Sequence, residues 1–293
     1  MHSRFLPEDF SPARSVTVLA GKGRYPELTI ERLRAAAVPV KLVAFEEETA
    51  PELAATFAAA DTAWIKVGQL GHLLDALRRF KTGYTIMAGQ ITPRRLFNGL
   101  VPDVKAVLIL ASLKEKNAET IFGALAAEIA KIGVTPLDAR VLLDDQLATA
   151  GCMTGWRSGI APRTLAYGVR IAKEIARLDI GQGVVVSGGT TIAVEAFEGT
   201  DKMLRRCAQI GAREPLFIKT VKPGQDYRFD VPCFGLHTLE SMAQGGVRHA
   251  ALEVGKVLIL EKEKVLTQAR KLGIVLHGYE ADGTDGTDGG DAN

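Results

Sequence analysis

Short apolar runs alternate with amphipathic stretches along the first half of this chain, and that alternation leaves few folds open. Val16–Leu19 leads through Gly21-Lys22-Gly23-Arg24-Tyr25-Pro26 into a helical stretch ending near Ala37. Pro26 suits a first helical turn, and Pro39 lies just past the end. Val40–Phe45, Ala63–Val67 and Tyr84–Ala88 read as strands. Glu52–Ala60 and Leu70–Phe80 read as the helices between them, the second with apolar residues at helical spacing. Ala118–Ile132 is a strong amphipathic helix stopped by Gly133. Strands joined by helices pair in parallel through right-handed crossovers, so residues 15–135 are expected to form a Rossmann-like parallel-sheet domain.

The pattern changes near Pro136. Pro162–Leu178 reads as a helix. Gly183–Ser187 and Thr191–Ala196 flank the turn SGGT, and Val247–Leu252 and Val257–Leu260 flank EVGK, so two hairpins are expected. Thr200 reads as the N-cap of a helix running to Gln209. Hairpins mixed with helices predict an α+β domain over 136–280, which makes the whole chain an α/β protein of two domains. Residues 1–14 read as a flexible leader. Residues 281–293, rich in Gly and Asp, read as a disordered acidic tail.

Composition narrows the function classes. The 36 Lys and Arg against 34 Asp and Glu leave a net charge of +2, so no broad basic field for nucleic acid is present. The three cysteines show no CxxC spacing, which reads as reduced thiols of an intracellular protein and not as a zinc site. The N-terminus lacks a secretory apolar core, and no apolar run approaches the ~18 residues of a membrane span. The expectation is a soluble cytoplasmic protein whose contact with a membrane is peripheral and transient. A homo-oligomer stays open.

Four elements could carry chemistry. In Leu19–Pro26 a strand meets glycines and then a helix start, where Gly21 and Gly23 could let a phosphate approach backbone amides, with Lys22 and Arg24 adding charge. A plain strand-to-helix turn explains the same residues, and the full dinucleotide fingerprint is absent because Pro26 holds the third glycine's place. Ala88-Gly89-Gln90-Ile91-Thr92 sits at another strand's carboxyl end, where open parallel sheets bind ligands. The third element joins Asp179, Gly181, Gln182 and Gly183 to Glu195, Glu198, Thr200 and Asp201. A carboxylate alternating out of an apolar strand, as Glu195 does, needs a cation, a metal or a donor. The fourth packs Lys219, Lys222, Gln225, Asp226, Arg228 and Asp230 into a dozen residues. Such a set could hold a diphosphate and a magnesium ion, which favours one or two carboxylates plus phosphate oxygens and water. A solvated polar loop is the bland alternative.

Three runs carry a resemblance: Arg177–Gln182, Ala193–Asp201, and Lys222-Pro-x-Gln225-x-x-Arg228-Phe-Asp230-x-Pro232. Together with LAGKGRYP and Met87–Gln90 they resemble the LpxI family over roughly residues 15–280. That resemblance implies hydrolysis of UDP-2,3-diacylglucosamine, a UDP-linked acylated glucosamine, to 2,3-diacylglucosamine 1-phosphate (lipid X) and UMP with Mg2+. It implies two domains clasping the substrate, with the acyl chains in an apolar cavity. It puts the catalytic aspartate at Asp230, and substrate contacts at Gly21, Gly23, Gly89, Gln182, Thr200, Asp201, Lys219, Lys222, Gln225 and Arg228. Magnesium would draw on Glu195, Glu198, Asp201 or Asp230. A NAD(P)-dependent oxidoreductase and a non-catalytic UDP-sugar or lipid sensor are the alternatives. The imperfect glycine fingerprint weighs against the first, and the acidic residues around Asp230 against the second.

Overall fold

The computed structural model describes residues 2–92, 102–115, 117–155 and 157–281, and the chain divides into two compact units. The first runs to Asp145 and adds Asp226–Val231; the second takes Gln146–Gln225 and resumes at Pro232. The expected disordered tail lies outside the described residues from residue 282 on. Among the described residues no helix is long and apolar enough to cross a membrane.

The first unit alternates as its sequence period demands. Its elements are β1 (Val16–Ala20), α1 (Arg24–Ala35), β2 (Val40–Phe45), α2 (Pro51–Ala54), β3 (Thr62–Ile65), α3 (Leu70–Arg79), β4 (Tyr84–Ala88), α4 (Val104–Ser112), α5 (Ala118–Lys131) and β5 (Thr135–Pro136). The strands lie in the order β3-β2-β1-β4-β5, all parallel. β1 is buried at every position, as a central strand covered on both faces must be. Leu70, Leu73, Leu74 and Leu77 of α3 form one stripe packed with Val43 and Ile65. Truncating one of these leucines to alanine would cost about 2–5 kcal/mol. β1 and β4 are neighbours, and the chain fills the sheet outward from them in opposite directions, so their carboxyl ends form the switch point of the fold.

Two expectations fail here. The helix expected over Glu52–Ala60 stops at Ala54 and the chain closes in a short 3-10 turn at Ala59–Asp61. The Thr56 hydroxyl bonds back to the Leu53 carbonyl at 2.8 Å, and Arg34 takes the Thr56 carbonyl at 3.1 Å, competing with helix continuation. The leader is not loose. Phe10 packs on Tyr84 with centroids 4.8 Å apart, the Ser11 amide donates to the Tyr84 hydroxyl, and the Arg140 guanidinium lies 4.1 Å over the Phe5 ring.

The second unit holds β6 (Gly151–Cys152), α6 (Pro162–Arg177), β7 (Gly183–Ser187), β8 (Thr190–Val194), α7 (Thr200–Arg206), β9 (Leu216–Lys219), β10 (Cys233–Phe234), α8 (Leu236–Gln244), β11 (His249–Glu253), β12 (Leu258–Ile259), α9 (Lys262–Leu272) and β13 (Val275–Tyr279). Its main sheet runs β6-β13-β11-β9-β7-β8, with β9, β11 and β13 parallel and β6, β7 and β8 antiparallel to their neighbours. Strand alternation sorts two cores. Val185, Phe217 and Leu252 pack with Met203, Leu239, Met242 and Val265 of α7, α8 and α9. Val184, Val186 and Ile218 pack with Ala172 of α6. Gly168 lets α6 approach the sheet: a Cβ there would sit 1.9 Å from the Ile218 Cδ1.

The SGGT hairpin forms as β7 and β8. The EVGK hairpin does not. Both edges of β11 are taken by β9 and β13, so Val257–Leu260 contributes β12, which pairs with β10 instead. The Val254 and Gly255 amides donate to Tyr279 and Ala148, which fixes EVGK as a turn leaving the sheet. Thr200 is the first residue of α7 and Gly199 is its N-cap, so the capping expectation moves by one residue.

Candidate functional site

In the first unit the two glycine turns lie side by side at the switch point. Lys22 and Gln90 bridge through paired backbone hydrogen bonds of 2.8 and 3.1 Å. A Cβ on Gly21 would meet the Gln90 carbonyl oxygen at 2.6 Å, and one on Gly89 would meet the Lys22 carbonyl oxygen at 2.6 Å. Turn-on-turn packing therefore accounts for these two glycines. Gly23 differs: its φ is +89°, nothing lies within 4 Å of a Cβ, and it caps α1 with no side-chain acceptor. A helix start with no side-chain cap is a place where backbone amides can meet an anion. Arg24 does not join it, being held by Glu27 at 2.6 Å and Glu31 at 2.9 Å.

Glu48 was invisible as a site residue in the sequence. It follows β2, its side chain is fully buried, and Lys22 lies 3.3 Å from it. The Thr92 hydroxyl donates to Glu48 at 3.0 Å and receives the Lys22 ammonium at 2.9 Å. The available signal was an acidic run directly after the second strand of an alternating fold, where such sheets carry a ligand-facing carboxylate.

Asp226–Val231 belongs to the first unit and is pinned at both anchor points. The Tyr227 carbonyl accepts from the Ala139 amide at 2.8 Å, and the Arg140 guanidinium lies 3.3 Å over the Tyr227 ring. Phe229 stacks on Phe122 of α5 with centroids 5.9 Å apart. Between and after these anchors, the Asp230 amide bonds to the Asp226 carbonyl at 3.0 Å. Arg228 grips Asp226 through two guanidinium nitrogens at 2.9 and 2.6 Å, and this pairing holds the Asp226 carboxyl below its usual range. The structure thus ties Arg228 to its own turn.

The second unit gathers Glu195, Thr200 and Lys219. Lys219 ends β9 with only 7% of its side chain exposed, 3.7 Å from the Glu195 carboxylate. The Thr200 hydroxyl sits between them, donating to Glu195 and accepting from Lys219 at 3.1 Å. Gly181 and Gly183 make room: a Cβ on Gly183 would lie 2.5 Å from Glu195 Oε2, and one on Gly181 would lie 2.2 Å from the Glu195 carbonyl oxygen. Nearby, the Gln182 side chain donates to Gln225 at 3.2 Å, and Lys222 reaches Asp179 at 3.0 Å. Glu198 does not join Glu195, because Arg206 holds it at 2.8 Å. Asp201 lies in the first turn of α7, where the helix dipole favours its charge.

Glu253 is the second residue the sequence did not single out. It ends β11, and the register pairing Leu252 with Lys219 brings it beside the turn after β9. Its Oε2 accepts from the Thr220 hydroxyl at 2.6 Å, the Lys173 ammonium at 2.7 Å and the Val221 amide at 3.0 Å. The turn linking Lys219 to Lys222 is thereby locked from behind. The neighbouring Tyr279 phenol is pushed up by burial.

For magnesium the donor chemistry is informative. No group of three or more His, Cys, Asp or Glu able to hold a metal occurs among the described residues. Glu195 takes the Thr200 hydroxyl on Oε1, while its buried Oε2 lies 3.7 Å from Lys219 with no hydrogen bond among the described residues, and Glu198 is paired with Arg206. That suits an ion held by single carboxylates, with phosphate oxygens and water as its remaining ligands, better than an all-protein cage.

An apolar cavity of about 110 Å³ lies in the first unit, lined by Phe45, Ile65, Leu73, Ile109, Leu110 and Phe122 among others.

Comparison with known proteins agrees along nearly the whole chain. Residues 15–146 match the LpxI N-terminal domain and residues 149–277 the LpxI C-terminal domain. The chain is 29% identical over 281 residues to the UDP-2,3-diacylglucosamine pyrophosphatase LpxI of Caulobacter vibrioides, covering 91% of this chain and 98% of that protein. Among solved structures, N5-carboxyaminoimidazole synthase from Aspergillus clavatus aligns over 64% of this chain and 42% of its own, at 13% identity and a TM-score of 0.23. A likeness that weak carries no argument. The matches to both domains, read with the relative's full-length coverage, place this chain in the LpxI family.

Proposed function

We propose that this chain cleaves the diphosphate of UDP-2,3-diacylglucosamine with water, giving 2,3-diacylglucosamine 1-phosphate and UMP. Family membership makes it a hydrolase acting on a diphosphate; the substrate and products are our reading. The observation that carries it is Lys219, a nine-tenths-buried ammonium at a strand end with a hydroxyl and one carboxylate beside it. A buried fixed charge with ammonium hydrogens to share stabilises phosphate oxygens far better than a solvated lysine does.

The remaining roles follow from residue chemistry. Lys219 and Thr200 donate to phosphate oxygens. Glu195 is the counter-charge that holds the Lys219 head in place. Glu253 holds the Thr220–Val221 turn so that Lys219 and Lys222 keep their spacing. The start of α1, which Gly23 caps without a side chain, offers backbone amides to an anion. Asp230, on its pinned turn, orients the attacking water and takes its proton. Magnesium, when bound, would neutralise charge on the diphosphate, with Asp201 or Asp230 as a carboxylate that would hold it.

Phosphorus NMR of the purified protein with UDP-2,3-diacylglucosamine, with and without magnesium, tests the reading. Metal-dependent appearance of UMP and a sugar 1-phosphate is expected. Intact substrate with broadened lines would make the protein a binder and end the hydrolase assignment. Asp230→Ala should lower turnover by a factor on the order of a thousand while substrate still binds, the range spanned by loss of a proton-transferring group. Near-normal turnover in that variant would remove Asp230 from the mechanism.

A further inference from the structure

One buried arginine of the first unit ties the N-terminal leader to the turn that carries Asp230. The Arg140 guanidinium lies 3.3 Å over the Tyr227 ring and 4.1 Å over the Phe5 ring. Its edge grips Asp138 at 3.0 and 2.6 Å, and Asp138 also accepts from the Arg140 amide at 2.9 Å. The leader is fastened to the same loop just before Phe5. Ser3 Oγ accepts from the Leu142 amide at 3.1 Å, and the Asp144 carboxylate accepts from the Arg4 amide at 3.1 Å. Ala139 completes the join, donating to the Tyr227 carbonyl at 2.8 Å and accepting from the Tyr25 hydroxyl at 2.5 Å. A planar guanidinium can meet aromatic faces and a carboxylate fork at once, which a lysine ammonium cannot do.

We propose that Phe5 and Arg140 are positioning residues for Asp230, acting through Tyr227. Tyr227 lies in the closed turn whose Phe229 and Asp230 amides both reach the Asp226 carbonyl, at 3.4 and 3.0 Å, so a shift of its backbone carries Asp230 with it. The second anchor of that turn is weaker, because Phe229 is exposed although it stacks on Phe122. A surface stack leaves the turn room to slide; a buried cation fixed at its edge by Asp138 does not. A general base has to sit within hydrogen-bond reach of the proton it takes, and misplacement by about 1 Å from a distant change can cost on the order of a hundredfold in rate. Phe5 precedes residues 15–146, the segment that matches the LpxI N-terminal domain, so this brace draws on a residue outside that match. The inference rests on the role proposed above for Asp230.

Steady-state hydrolysis of UDP-2,3-diacylglucosamine by the full chain tests it. Phe5→Leu and Arg140→Lys should each lower kcat about tenfold and leave KM within about twofold. Phe5→Tyr, which returns an aromatic face to the guanidinium, should keep the wild-type kcat. In an Asp230→Ala background neither Phe5→Leu nor Arg140→Lys should lower kcat further, because a group acting through Asp230 has nothing left to position. A role in stability alone would lower both backgrounds equally and follow the folded fraction seen by circular dichroism. Unchanged kcat in the folded variants, equal losses with and without Asp230, or near-normal turnover of Asp230→Ala overturns the proposal. If Arg140→Lys does not fold, Phe5→Leu decides it. Hydrogen exchange at the Asp230 amide supplies a readout without turnover, and Phe5→Leu should lower its protection about tenfold. A wild type that leaves the substrate intact would sink the proposed function. Loosened exchange at Asp230 in Phe5→Leu would then leave the brace standing, and unchanged exchange would end it as well.

Discussion

Each unit closes a strand end with the same three residue types, and the two trios are inverted in burial. Lys22, Thr92 and Glu48 serve the first unit, with the lysine 46% exposed and the carboxylate fully buried. Lys219, Thr200 and Glu195 serve the second, with the lysine 7% and the glutamate 14% exposed. In both, the threonine hydroxyl takes a hydrogen from lysine and gives its own to the carboxylate. The difference lies in which charge needs the pair. Glu48 is anchored by Thr92 as well as Lys22, and the lysine head still reaches water. Lys219 has lost most of its water, and Glu195 is its counter-charge. A desolvated ion is costly alone and potent toward an arriving opposite charge. The second trio is therefore the one suited to a phosphate, and the first is better suited to holding two turns together.

Breaking the second trio should hurt most. Lys219→Met leaves Glu195 inside without its cation and should cost about 3 kcal/mol in urea unfolding, as breaking a buried pair does. It should also abolish most diphosphate cleavage. Replacing both partners, Lys219→Met with Glu195→Leu, should restore most of that stability and none of the activity. Recovery of turnover in the double variant would show that Lys219 matters to the fold alone.

Lys22→Met should cost less, about 1 kcal/mol, because the Thr92 hydroxyl and amide still donate to Glu48 and the lost ammonium was half in water. A loss matching that of Lys219→Met would erase the contrast between the trios. Glu48→Ala should exceed Lys22→Met, at about 2 kcal/mol, since it strips the half-buried Thr92 amide and hydroxyl of their acceptor.

Acid should separate the units with the smallest effect. His249 and His277 both lie in the sheet of the second unit, and burial holds both imidazoles below their ordinary range, with Glu214 partly opposing this at His249. Their folded values lie below the unfolded ones, so the unfolded chain binds protons first and stability falls as pH drops below about 6.5. The Asp226 carboxyl of the first unit is also lowered, by Arg228, and its contribution is whole above the ordinary 3.8 and is lost as pH falls from there through its depressed folded value. Hydrogen-exchange protection, corrected for the intrinsic rate at each pH, should thus fall between pH 7 and pH 5 at β11 and β13 before it falls at Asp226–Val231. Equal or reversed sensitivity would mean that the two imidazoles exchange with solvent more freely than their burial implies.

How far the site was legible depends on where each partner comes from. Lys219, Thr200 and Glu195 were all candidates, because each breaks an apolar or helical pattern within its own few residues. That Glu195 and Lys219 face each other, while Glu198 turns away to Arg206, follows from β7 pairing with both β8 and β9. Glu48 sits in a run of three glutamates that the sequence did not single out, and Glu253 in the turn of the expected EVGK hairpin. Both gain meaning only from neighbouring strands far along the chain.

What the sequence determined by itself is the local periodicity: a parallel α/β first half, the SGGT hairpin, the glycine turn before α1, and the motif that carries Asp230. Those features depend on residues within a few positions of one another, whose steric and burial preferences act before the chain is folded. Tertiary structure alone decided the rest. It pinned the leader on Tyr84, denied EVGK its hairpin by filling both edges of β11, and gave Asp226–Val231 to the first unit through Phe122 and Arg140. It also chose which carboxylates are buried and which lysine loses its water. Desolvation is set by everything packed around a charge, and that surrounding is assembled from contacts scores of residues apart.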